Sequence, residues 1–155
     1  IEGARFVDLY AGSGAVGIEA LSRGAEHVRF VENAAGAVKM IRANLTELKI
    51  ASDYSIEERS AAAALEGMLK RGEKADILFL DPPYEAQQEY VRTLQLLGSE
   101  RGVALLADGA RVIAEHRAKE QLAETYGRLE RVRVLKQGDA ALSFYAVKAA
   151  EEALS

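Results

Sequence analysis

A chain of 155 residues with 20 Lys and Arg against 24 Asp and Glu carries a net charge of −4, the wrong sign for gripping nucleic acid by bulk electrostatics. It holds no cysteine, which excludes a disulfide framework, and no apolar run near the roughly 20 residues that span a bilayer. The length fits one domain over 1–155, able to bury about two-thirds of the surface its unfolded form exposes, and the expected location is cytoplasmic. Ile1 stands where Met would start a chain and the first strand pattern follows almost at once. A chain without its natural start is expected; no signal peptide is visible.

Short apolar runs alternate with longer helical patterns. Phe6 to Tyr10, His27 to Val31, Ser55 to Glu57, Ala75 to Leu80 and Arg111 to Glu115 read as strands. Between them Val38, Ile41, Leu45 and Leu48 fall on one face at helical spacing, as do Leu65, Met68 and Leu69, and Gly24 and Gly72 sit where helices stop. Strict alternation predicts a doubly wound, mostly parallel sheet with right-handed crossovers. Arg128 to Lys136 then runs through Gln137-Gly138-Asp139 into Ala141 to Val147, a β-hairpin closing the sheet, with Val132 and Val134 facing one way and Arg131 and Arg133 the other.

Gly12-x-Gly14-x-x-Gly17 lies at the first strand-to-helix turn, where glycine lets backbone approach a ligand and the helix start offers free N–H groups. Alone it fits a tight turn needing positive φ, or a dinucleotide fold of the NAD type. Glu32 ends the second strand 20 positions after Gly12, where a carboxylate can accept both hydroxyls of a ribose. Asp8 tips the balance from NAD. An acid inside an apolar strand is costly without a partner, and a cationic ligand such as S-adenosylmethionine would favour it where a pyrophosphate would not.

Asp81-Pro82-Pro83-Tyr84 follows the fourth strand, and in open α/β sheets ligands bind outside the carboxyl ends of the strands. Two prolines stiffen that turn. Asp81 and the Pro82 carbonyl can accept both hydrogens of an exocyclic amine, and Tyr84 offers a ring for a flipped base to stack on. His27 and His116 are the only histidines, and with no cysteine and no clustered His-carboxylate spacing no metal site is expected. No serine stands in a nucleophile-elbow context. Arg128, Arg131, Arg133 and Lys136, or Arg117 and Lys119, are the local basic runs that could meet a nucleic acid, although such runs are usually solvated faces.

The block Asp8-Leu9-Tyr10-Ala11-Gly12-Ser13-Gly14-Ala15-Val16-Gly17-Ile18-Glu19-Ala20-Leu21-Ser22-Arg23-Gly24-Ala25, with Glu32, Asn44-Leu45, Asp81-Pro82-Pro83-Tyr84 and Gln137-Gly138-Asp139, resembles the RsmD-type bacterial methyltransferases over essentially the whole chain. These transfer methyl from S-adenosylmethionine to the exocyclic N2 of one guanine in 16S ribosomal RNA, leaving S-adenosylhomocysteine. The resemblance implies a Rossmann-like class I methyltransferase with a seven-stranded sheet whose last strand is antiparallel. It implies that Asp8, Tyr10, Gly12, Ser13 and Gly14 hold the methionine part of the cofactor, Glu32 its ribose and Ser60-Ala61 its adenine, with Asn33 also binding the cofactor. Asp81, Pro82, Pro83 and Tyr84 then form the catalytic motif, with Asp81 also touching the cofactor.

Relatives carry Asn or Asp where Ser60 aligns. They also begin with a basic segment ahead of the first strand, so weak RNA binding is expected of this chain as it stands. The expected partner is ribosomal RNA or a small-subunit particle, with no membrane, and the expected state is a monomer. Other acceptors for the same chemistry are the N6 of a DNA adenine or a protein glutamine; a nucleotide-binding module without catalysis is the alternative from another class.

Overall fold

The computed structural model describes residues 1–83 and 86–148. Eight strands form one sheet in the order β3-β2-β1-β4-β5-β8-β7-β6. β1 (Arg5–Leu9), β2 (His27–Val31), β3 (Tyr54–Glu57), β4 (Ala75–Leu80) and β5 (Leu106–Arg117) are parallel, and β8 (Ala140–Val147) is antiparallel to β5 and to β7 (Leu129–Gln137). The predicted doubly wound sheet with its closing hairpin is therefore present. The count differs from the expected seven by β6 (Thr125–Tyr126), which pairs with β7 and is too short to leave a period in the sequence.

The central strands β1 and β4 are mostly apolar because helices cover them on both faces. Phe6, Val28, Phe30 and Phe79 pack on one face against α1 (Ala15–Ser22) and α2 (Ala35–Glu47). Val7, Leu9, Val31, Leu78, Leu80 and Val112 pack on the other against α3 (Ala61–Arg71) and α4 (Gln87–Gly98). Val38, Ile41 and Leu45 are buried as predicted, whereas Leu48 is 57% exposed because α2 ends at Glu47 and Leu48 is already its cap. Gly72 closes α3 in the left-handed region at φ 71.

Val132 and Val134 do not share a packed face; both are exposed. A register shift between Arg131 and Arg133 inserts Val132 as an extra residue, so Arg131 stands opposite Tyr145 while Arg133 stands opposite Phe144. Adjacent residues on β8 point to opposite faces, so the two arginines also do, contrary to the simple alternation read from sequence. Arg133 lies over the Phe144 ring at 5.6 Å, and Arg131 donates to the Leu122 carbonyl at 3.2 Å. The basic run is thus split between faces, Arg128 has Glu100 at 3.7 Å, and Arg117 has Glu120 at 3.9 Å.

The third glycine of the turn motif serves packing. A Cβ on Gly17 would sit 2.3 Å from Phe30 Cε1 and 2.9 Å from Val28 Cγ1, both on fully buried residues. Gly17→Ala is therefore expected to destabilise the fold by about 1–3 kcal/mol through overpacking. The measurement is denaturant unfolding; a midpoint no lower than that of the parent chain would show that α1 can lift from β2 at no cost.

Candidate functional site

The strand order reverses direction between β1 and β4, since β1 is followed by a crossover to β2 on one side and β4 by a crossover to β5 on the other. Loops leaving the carboxyl ends of such a pair diverge and leave a crevice. The glycine turn after β1 and the Asp81–Pro83 loop after β4 form its two sides. A cavity of about 480 Å³ lies between them, lined by Tyr10, Ala11, Gly12, Ser13, Ala15, Val16, Glu32, Asn33, Asp81, Pro82 and Pro83. A second, of about 220 Å³, shares Tyr10, Glu32, Asn33 and Pro83 and adds Arg59, Ser60, Ala61, Ala86 and Glu89.

Most residues singled out in the sequence therefore meet in one place. Asp8 and Gly14 stand behind the wall. Asp8 is 2% exposed on the α1 side of β1, and its Oδ2 accepts from the Gly17 amide at 3.0 Å, one of the donors a helix start leaves unpaired. Burial pushes its carboxyl up to about 7 against the pull of that amide, with the charges of Asp81 and Glu32 adding to the rise. Gly12 and Gly14 both need the left-handed backbone, at φ 58 and 83, and open space surrounds the point where a Gly12 Cβ would stand. The Ser13 carbonyl accepts from Asn44 Nδ2 at 2.9 Å, so α2 steadies the turn.

Glu32 already has two partners. Its Oε1 accepts from the Gly12 amide and its Oε2 from the Ala34 amide, both at 2.9 Å. A carboxylate offers about four acceptor positions, so two remain for a ligand. Ser60 uses its hydroxyl to cap α3, accepting from the Ala63 amide at 3.1 Å, which leaves the first amides of α3, starting with Ala61, at the smaller cavity. Asp81 reaches solvent at the crevice mouth. The protein around it still displaces enough water to push its carboxyl up to about 6, and Glu115 on the neighbouring strand adds like charge. Pro82 is buried and Pro83 exposed, and the Pro83 carbonyl accepts from the Ala86 amide at 2.9 Å. Tyr84 lies outside the described residues.

Sequence reasoning missed Arg59, Ala86, Glu89 and Glu115 at this site, none of which belongs to a short motif. His116 is buried, with Ser143 Oγ at 2.8 Å from Nε2 and the carbonyls of Arg117 and Glu120 at 2.9 and 2.8 Å from Nδ1, so it ties the turn after β5 to β8. Among the described residues no helix is long and apolar enough to cross a membrane.

The family described as Conserved hypothetical protein 95 matches residues 1–146. The Bacillus subtilis protein named "Putative rRNA methyltransferase YlbH" is 35% identical over 144 residues, covering 93% of this chain and 76% of its own length. Ribosomal RNA small subunit methyltransferase D of Buchnera aphidicola is 32% identical over 103 residues, which are 66% of this chain and 52% of that protein. Among solved structures, the Escherichia coli protein named "Putative methyltransferase yhhF" superposes with a TM-score of 0.80 at 29% identity, covering 96% of this chain and 79% of that one. The architecture is that of the class I S-adenosylmethionine-dependent methyltransferases. A match over 146 of 155 residues, on a sheet whose switch point holds the glycine turn, Glu32 and the Asp81–Pro83 loop, places the chain in the Conserved hypothetical protein 95 family of RsmD-type methyltransferases.

Proposed function

We propose that this chain transfers the methyl group of S-adenosylmethionine to the exocyclic N2 amine of a guanine in small-subunit ribosomal RNA. The observation that carries the reading is the single crevice on which Gly12, Glu32 and Asp81 converge. The residues present suit the cofactor. Glu32 has acceptor positions to spare for ribose hydroxyls, and backbone at Gly12 can be approached without meeting a side chain. Asp81 and Glu32 each act on Asp8 as like charges, which favours a ligand bearing ammonium and sulfonium groups.

Bound S-adenosylmethionine supplies an electrophilic methyl on a good leaving group, so catalysis is mainly a matter of placing the acceptor. Asp81 and the Pro82 carbonyl accept hydrogen bonds from the two amine hydrogens and leave the nitrogen lone pair directed into the crevice; the one proton the amine sheds once methylated passes by way of the Asp81 carboxylate to the solvent that this side chain reaches. Tyr84 is the residue type assigned to stack on the extruded base, and the prolines restrict the backbone of the loop. Asp81 acts as the carboxylate, so transfer at subsaturating cofactor rises with pH through about 6, where that group ionises in the free protein, and the rise moves to lower pH once cofactor saturates the crevice.

The deciding experiment supplies labelled cofactor with 16S rRNA, DNA and peptide acceptors and identifies the product nucleoside. N2-methylguanosine supports the reading; label in adenine or glutamine, or cofactor retention without transfer, overturns it. Calorimetry with S-adenosylmethionine and with NADH separates it from a dinucleotide enzyme. A cation entering beside carboxyls held near 7 and 6 should also pull both down. Cofactor binding at or a little below pH 6, where both still hold protons in the free protein, is therefore expected to release protons, read as heats that differ between buffers of unlike ionisation enthalpy. Buffer-independent heats would put Asp8 and Asp81 out of reach of the ligand's charge.

A further inference from the structure

Tyr10 lines both cavities, and its hydroxyl bonds to α4. Tyr10 follows β1 directly in the left-handed region, at φ 61, a conformation that costs a non-glycine residue of the order of 1 kcal/mol unless its surroundings hold it there. Its ring packs against the α3–α4 side of the core. The hydroxyl donates to Glu89 Oε1 at 3.0 Å and lies 2.8 Å from Thr93 Oγ1. Glu89 and Thr93 are one turn apart on α4, and Thr93 is only 5% exposed. Burial pushes the Tyr10 hydroxyl up to about 12, so it stays a neutral donor.

α4 is the helix into which the Asp81–Pro83 loop runs. The Ala86 amide donates to the Pro83 carbonyl, the Glu89 amide to the Ala86 carbonyl, and the Tyr10 hydroxyl to the Glu89 side chain, at 2.9, 2.9 and 3.0 Å. On the far side of Tyr10, the Ala11 amide donates to the Val31 carbonyl at 3.0 Å and the Gly12 amide to Glu32 at 2.9 Å. Hydrogen bonds thus run from the loop that would hold the acceptor to the turn that would hold the cofactor, and the Tyr10 side chain is the bridge. A phenylalanine would fill the same space without it.

We infer that the Tyr10 hydroxyl, with Glu89 and Thr93, is a positioning group that fixes the Asp81–Pro83 loop relative to the glycine turn, so that the two halves of the crevice respond to a ligand as one body. The inference rests on the methyl-transfer reading of the crevice. Tyr10 acts through α4, and its hydroxyl does not meet the reacting atoms.

The test uses Tyr10→Phe, Thr93→Val and Thr93→Ser. Tyr10→Phe keeps the ring and should leave cofactor affinity within a few-fold, while single-turnover transfer falls about tenfold or more through misplacement of the acceptor, with KM for RNA little changed. Thr93→Val should lower the rate less and add nothing to Tyr10→Phe, because both break the same contact. Thr93→Ser should restore it. Hydrogen exchange supplies a readout that needs no RNA: S-adenosylhomocysteine should slow exchange over 86–93 in the parent chain and lose that effect in Tyr10→Phe, while protection over 12–17 persists. An unchanged single-turnover rate in Tyr10→Phe overturns the inference, and so does ligand protection of 86–93 that survives the substitution. If the parent chain methylates no RNA, the functional reading fails instead, and the exchange result decides the bridge by itself.

Discussion

Asp81→Ala is expected to lower methyl transfer by roughly two orders of magnitude while cofactor affinity stays within a few-fold. Asp81 stands at the crevice mouth and reaches solvent, and the proposed role makes its carboxylate matter where the acceptor amine is held in line. The loss should appear in kcat, or in single-turnover rate, more than in KM. Stability should not fall with it. Asp81 raises the Asp8 carboxyl by like charge, so its removal relieves a repulsion, and the unfolding midpoint near neutral pH is expected to hold or rise. Single-turnover transfer at the parent rate would end the assignment of the amine clamp to Asp81.

Glu32→Ala is expected to weaken S-adenosylmethionine by about 1.5–3 kcal/mol, the range for hydrogen bonds to a charged group. The structure adds a second effect. Glu32 also accepts from the Gly12 and Ala34 amides, so alanine frees the glycine turn as well as removing the ribose contact, and the unfolding midpoint should drop too. Glu32→Gln separates the two, because an amide keeps one acceptor oxygen for the turn while giving up the charge. Its affinity should lie between the parent and the alanine variant. Calorimetry that finds all three equal would remove Glu32 from the ligand site.

What could be read without a structure was whatever leaves a local signature. Strand and helix alternation is written in periods of 2.0 and 3.6, so β1 to β5 and the closing hairpin were predicted within a residue or two at most ends, though β5 begins five residues earlier than read. Glycines that need positive φ mark the turn after β1, and the Asp81–Pro83 loop is marked by its prolines. Where a strand bears an irregularity the period misleads, as at Val132, since one inserted residue exchanges the faces of everything beyond it.

Asp8 shows the boundary between the two kinds of knowledge. Its cost inside an apolar strand is plain in the sequence and demanded a partner, but the partner the structure provides is the Gly17 amide at the start of α1, reached only once that helix folds back over β1. Glu32 was legible as a strand-end acid, whereas its grip on the Gly12 and Ala34 amides was not. The bonds from Tyr10 to Glu89 and Thr93 span 79 and 83 positions. Sequence by itself determined the elements, the turn and the acids that end the strands, because those follow from backbone geometry and burial within a few residues. Only the tertiary structure decided which donors those acids meet and that Tyr10 ties the two halves of the crevice together, because such contacts depend on β1 and β4 lying side by side, with α4 packed across them.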